Sequence, residues 1–128
     1  MYEGVLYASS EHAFVAAKSL DKRVRRHVAS IATPGQAKRY GRSITLRPDW
    51  DEVKDQVMYE IVKDKFTRNG KLQAKLLATG DVPIQEGNMW RDTYWGVDLK
   101  TGAGQNRLGE IIMRIRSELR SMKGGELA

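Results

Sequence analysis

The longest regular pattern in the chain is an apolar stripe, Val53, Val57, Met58, Ile61, Val62 and Phe66, that opens just after Asp49-Trp50-Asp51-Glu52. Steps of three and four residues put these side chains on one face of an α-helix, and that face must be buried. A cap candidate followed by acids starts the stripe, and Asn69-Gly70 closes it. The same grammar recurs along the chain. Ser9 and Ser10 precede a helix predicted from about Glu11 to Leu20, with Ala13, Phe14, Ala16, Ala17 and Leu20 at helical spacing. Val24, Val28 and Ile31 mark a second, and Thr33-Pro34-Gly35-Gln36 starts a third that stops at Gly41. Leu72, Leu76 and Leu77 form a short helix ending at Thr79-Gly80, and Leu108, Ile111, Ile112, Ile115 and Leu119 form the last. Only Ser43-Ile44-Thr45-Leu46-Arg47 alternates, which predicts a short extended piece before Pro48. The expected fold is therefore mainly α, a compact single helical domain with a few short β segments. At 128 residues one domain, 1–128, accounts for the whole chain, with fraying from about residue 121 around Lys123-Gly124-Gly125.

Composition narrows the function classes. No run approaches a membrane-spanning length, and the start, Met1-Tyr2-Glu3-Gly4, lacks the basic and apolar regions of a signal peptide, so a cytoplasmic protein with no membrane partner is expected. There is no cysteine, which excludes thiol catalysis, disulfides and zinc–thiolate sites. His12 and His27 are 15 residues apart and make a poor start for a metal site; no metal is expected. The net charge of +6 attracts polyanions, either nucleic acid or small phosphorylated molecules. Its densest run, Lys22-Arg23-Val24-Arg25-Arg26, is short and reads as a solvated helix face ahead of a nucleic-acid footprint.

Three constellations carry chemistry. Glu11 and Lys18 lie two turns apart on one helix face with Phe14 between them, a pattern that suits either a lined pocket or a simple helix-start charge. Glu86-Gly87-Asn88-Met89-Trp90-Arg91-Asp92-Thr93-Tyr94-Trp95-Gly96 combines acids, aromatics and glycines, as recognition of a flat base or sugar requires; a loop pinned to the core reads the same way. Thr101-Gly102-Ala103-Gly104-Gln105-Asn106-Arg107-Leu108-Gly109 leads into the last helix and could cradle phosphate, although it matches neither dinucleotide nor P-loop fingerprints. Lys38, Arg39 and Arg42 around Gly41 are a further candidate for phosphate, or merely complement a helix end.

In order along the chain, Ser10-Glu11-His12-Ala13-Phe14, Ala17-Lys18, Gly41-Arg42, Asp49-Trp50, Val57-Met58, Lys65-Phe66, Leu76-Leu77-Ala78-Thr79-Gly80, Glu86-Gly87-Asn88, Asp92-Thr93-Tyr94-Trp95-Gly96, Gly104-Gln105-Asn106-Arg107-Leu108-Gly109 and Met113-Arg114-Ile115-Arg116 closely resemble the YbiA-like, or NADAR, family. The resemblance runs from about Tyr2 to Leu119. It implies an N-glycosidase, a hydrolase acting on ribosylaminopyrimidine phosphates of riboflavin synthesis, or an enzyme removing ADP-ribose from modified guanine, where nucleic acid would carry the substrate. It assigns Glu11 and Asp92 as the carboxylates of the reaction. Lys18, Arg42, Trp50, Trp95, Asn106 and Arg107 become the substrate-binding residues, with the glycine loop beside the phosphate. It implies no cofactor; NAD need not be one. The family also carries an N-terminal segment like F-L-S-N-F that this sequence lacks, which bears on substrate affinity more than on fold. A non-catalytic nucleotide- or nucleic-acid-binding module is the rival reading, favoured by the basic charge. The oligomeric state is not legible.

Overall fold

The computed structural model describes residues 1–89 and 92–127, with no side chain described beyond Met122, so Trp90, Arg91 and Ala128 lie outside the described residues; the backbone of 121–127, where fraying was expected, continues the last helix. The chain forms two units, Met1–Lys65 and a second beginning at Phe66.

The first unit is built around α1 (Ser10–Ala17). Its small residues Ala13, Ala16 and Ala17, with Val15, are buried, and they let α2 (Lys22–Ser30) and α3 (Pro34–Gly41) both pack closely on it. Val28 from α2 and Ala37 from α3 are fully buried. Trp50, Val57 and Ile61 from α4 (Trp50–Arg68), together with Tyr2 and Tyr7, complete the core. A tight turn precedes α1: Tyr2 and Val5 exchange backbone hydrogen bonds of 2.9 and 3.0 Å, with Glu3 and Gly4 at positive φ.

Local chemistry sets the boundaries. Ser9 caps α1 by accepting from the His12 N–H, and Thr33 caps α3 by accepting from Gln36, with Pro34 in the first turn. α1 stops at Ala17, short of the expected Leu20. Asp21 must cap α2, and the chain turns there through Lys18 and Ser19, leaving Leu20 exposed. The alternating stretch Ser43–Arg47 forms no strand, since no neighbouring chain pairs along it; the Arg47 N–H goes instead to the Lys18 carbonyl at 2.8 Å. Before α4, the Asp49 carboxylate takes the Arg47 guanidinium at 2.6 and 3.0 Å.

The second unit contains α5 (Gly70–Ala78), β1 (Gly87–Asn88), β2 (Val97–Asp98) and α6 (Arg107–Leu127). Asn69, read from sequence as a stop, is also a start: its side chain caps α5 through the Leu72 N–H. β1 and β2 pair in parallel, Gly87 with Val97 and Asn88 with Asp98. α5 and α6 pack together, and Arg116 of α6 is buried with Nη1 donating to the Thr79 hydroxyl (2.8 Å) and the Val82 carbonyl (2.7 Å). A buried guanidinium thus secures the chain as it leaves α5. The expected mainly helical fold with short β segments is what the chain adopts.

Candidate functional site

In the first unit, α1 presents Glu11 and Lys18, both half-buried, on the face that also carries Phe14. Glu11 sits in the first helical turn, where the helix dipole favours a carboxylate. That turn is held firmly by its neighbour. His12 is wholly buried, with Nδ1 2.6 Å from the Ser9 hydroxyl and Nε2 2.9 Å from the Ile31 carbonyl. A carbonyl can only accept, so Nε2 carries the proton and Nδ1 accepts from Ser9. The His12 ring therefore fixes the start of α1 rather than facing a ligand.

Two turns on, the Lys18 Nζ lies 5.9 Å from the Phe14 ring centre, and the Phe14 ring meets Trp50 at 5.1 Å in a tilted contact. Trp50 is buried, so it backs Phe14 as a wall. A Cβ at Gly41 would stand 3.3 Å from the Lys18 Nζ and 3.0 Å from Val15 Cγ2, which explains why α3 carries glycine there. Burial pushes the Lys18 ammonium below its ordinary value; Glu11 pulls it back up, while Lys38 and Arg42 push it further down. Lys38 and Arg42 are four residues apart, one turn on the same side of α3 and its cap. One carboxylate and two further cations thus act on the half-buried Lys18, an arrangement suited to a phosphorylated ligand. Lys38, a phosphate candidate from its place beside Gly41, was not among the binding residues that the family resemblance implies, and here it acts on the same position as Arg42.

In the second unit, Asp92 organises a loop. Its Oδ1 accepts from the Tyr94 and Trp95 N–H groups at 3.1 and 3.0 Å, and Asn88 bridges its backbone on both sides, donating to its carbonyl (2.8 Å) and accepting from its N–H (2.9 Å). Asn88 is buried, a structural role that sequence reasoning missed because nothing in its neighbours fixes the partner. Trp95 is half-buried with Tyr94 edge-on at 4.9 Å, and the Arg107 guanidinium stacks 5.2 Å from the Tyr94 ring centre.

Beside the glycine loop, the donors at the start of the last helix are used within the protein. Arg107 and Leu108, the first two residues of α6, donate their N–H groups to the Tyr94 and Trp95 carbonyls at 3.2 and 2.9 Å, so those donors are already occupied. Asn106, with φ of 52°, accepts from the Glu86 N–H (2.8 Å) and donates to the Ile84 carbonyl (2.9 Å), lacing two loop segments together. Its amide is committed to the protein's own backbone. The structure brings Glu11, Lys18, Arg42 and Trp50 into the first unit, and Asp92, Trp95, Asn106 and Arg107 into the second.

Comparison with known proteins agrees with this architecture. The NADAR domain model matches residues 1–120, and the chain belongs to the NADAR family. Its relatives include N-glycosidase YbiA of Escherichia coli K12, 40% identical over 119 residues that cover 91% of this chain and 73% of that protein. An N-glycosidase of Nostoc punctiforme is 38% identical over 121 residues, covering 91% and 76% respectively. A riboflavin biosynthesis protein of Vibrio vulnificus is 39% identical over 118 residues, 91% of this chain but 32% of that protein. The NMR structure of Escherichia coli YbiA superposes with a TM-score of 0.85 at 38% identity, covering 94% of this chain and 72% of the other. The hydrolase of N-glycosidase type expected from sequence is in keeping with the names of these relatives. No helix among the described residues is long and apolar enough to cross a membrane.

Proposed function

We propose that this chain is an N-glycosidase that hydrolyses the C1′–N bond between a phosphorylated ribose and an amine or base, with ribosylaminopyrimidine phosphates of riboflavin biosynthesis as its substrate class. The observation that carries the reading is the charge pattern on α1: Glu11 and Lys18, both half-buried two turns apart, with Lys38 and Arg42 acting on the same position. Breaking a C1′–N bond leaves positive charge on the ribose ring, so a fixed carboxylate beside the anomeric carbon lowers the barrier. Glu11 takes that role, stabilising the cation or orienting water. Water bonds to C1′ through oxygen and gives up one proton, the C1′–N bonding pair leaves with nitrogen, and that nitrogen gains one proton, the two transfers passing through the carboxylates. Asp92 is the second acid–base group of the proposal, by its chemistry alone. Lys18 and Arg42 hold the phosphate, with Lys38 added to them.

The test is a product assay by mass spectrometry on the wild type and Glu11→Gln, with a ribosylaminopyrimidine phosphate in one arm and DNA carrying ADP-ribosylated guanine in the other. Free amine and ribose phosphate from wild type alone are expected, with turnover in Glu11→Gln down roughly a hundredfold or more. Activity only on the DNA would move the substrate to the ADP-ribosyl class. Full activity in Glu11→Gln would remove Glu11 from the chemistry, and silence on both substrates from folded protein would favour a binding module.

A further inference from the structure

Outside the Glu11 cluster, the first unit holds a groove that shares no residue with that cluster. The groove, of about 470 Å³, runs between the Tyr2–Val5 turn and α2, and its lining includes Glu3, Val5, Tyr7, Lys22, Arg25 and Arg26. That volume falls within the roughly 300–1,000 Å³ of small-molecule sites, too small for a folded partner. Its floor is apolar and aromatic, and its α2 wall is cationic.

The charges on that wall are unequal. Arg25 is already spoken for in part: Nη1 meets Glu3 at 2.6 Å, Nε donates to the Ser19 carbonyl at 2.7 Å, and the guanidinium covers the Tyr2 ring at 5.5 Å. Its remaining terminal nitrogen, Nη2, is buried and meets no acceptor among the described residues. An unmatched buried donor on a charged group costs about 1–3 kcal/mol and calls for an explanation such as a bound ion or ligand. Lys22 and Arg26 stand four residues apart on the same wall, exposed, and neither forms an ion pair among the described residues. Two like charges one turn apart repel slightly in the absence of a counter-charge.

We propose that this groove is a second anion site, which takes a phosphate monoester bearing a flat or apolar group. The phosphate lies between Lys22 and Arg26, with Arg25 behind them, and the ring covers Val5 and Tyr7. Charge complementarity selects the phosphate, and the bounded apolar floor selects a small molecule over a polymer. The site is independent of the glycosidase reading, because none of its residues belongs to the Glu11 cluster.

The experiment titrates adenosine 5′-monophosphate, as a probe, into nitrogen-15-labelled protein and follows backbone amide shifts. Saturable shifts are expected at residues 3–7 and 22–29, with inorganic phosphate weaker at the same amides. The double variant Lys22→Ala/Arg26→Ala, both positions exposed, should bind the probe roughly tenfold or more weakly while keeping the wild-type fold and glycosidase activity. Glu11→Gln should bind it as wild type does. Shifts confined to α1 and α3, wild-type affinity in the double variant, or phosphate alone binding as tightly as the probe would each overturn the proposal. A single-stranded oligonucleotide that outcompetes the probe with a steep salt dependence would overturn it too, assigning the groove to nucleic acid.

Discussion

Lys18 shows how a single side chain is pulled in two directions. Burial and two neighbouring cations disfavour its charge, and only Glu11 supports it. Its proton is therefore held less tightly in the folded chain than in the unfolded one, where the ordinary value is 10.5. The charged form then costs stability below the lowered value, and that cost fades as pH climbs towards 10.5. Lys18→Met keeps most of the stem's packing and removes the charge. At neutral pH it should unfold at the same or a higher urea concentration than wild type, and the difference should shrink as pH rises. In the glycosidase assay the same variant should raise KM by roughly tenfold or more, because a phosphate loses a charged partner. A fall in both stability and affinity would mean that Lys18 is held by the fold rather than for a ligand. Asn106 makes the opposite case. Both ends of its amide are spent on Glu86 and Ile84, so Asn106→Ala should lower stability by about 1–3 kcal/mol in urea titrations. A variant of normal stability with a raised KM would return Asn106 to the binding set.

Among the elements, α1 carries most of the argument, and its start is the sensitive point. Ser9 both caps the helix and donates to the His12 ring. Ser9→Ala should therefore cost about 1–2 kcal/mol, at the upper end for a lost cap. Scanning calorimetry would show it, and an unchanged melting temperature would mean that the His12–Ile31 bond alone secures the turn. Caps of this kind explain why helix starts could be read from sequence: Ser9, and Thr33 with Pro34, each act within three residues of themselves, whereas Asn69 does the same but was read only as a stop. The end of α1 was misplaced because Leu20 fits the stripe while Asp21 belongs to the next helix. The Ser43–Arg47 strand was misread for a different reason, since alternation marks a strand only when another chain lies alongside. Glu11, Lys18 and Arg42 could be picked out because recognisable segments surround them. The pairing of Gly87–Asn88 with Val97–Asp98 could not, because two-residue strands leave no period to detect. Nor could the loss of the helix-start donors at Arg107 and Leu108, whose acceptors lie more than ten residues earlier in the chain.

For the molecule as a whole, a net charge of +6 sets the long-range field in which any phosphorylated substrate arrives. Raising the salt from low to physiological concentration should increase KM for a phosphorylated substrate several-fold and leave kcat nearly unchanged, since screening weakens encounter and phosphate binding rather than bond breaking. Steady-state kinetics at several ionic strengths would check this, and a KM indifferent to salt would point to recognition of the uncharged part. A last consequence follows from the way residues 92–108 are tied. Their ladder joins Asp98 to Ala103, Gly102 to Asp98, Gln105 to Thr93 and the opening of α6 to residues 94 and 95, and all of those ties are main-chain atoms on both sides. Such a scaffold is largely indifferent to which side chains it displays. The exposed side chain of Lys100 at its tip is thus a place where a fluorescent label can be attached, provided that Gly102, whose N–H joins Asp98, and Gly104, which passes against Gly96, are left alone.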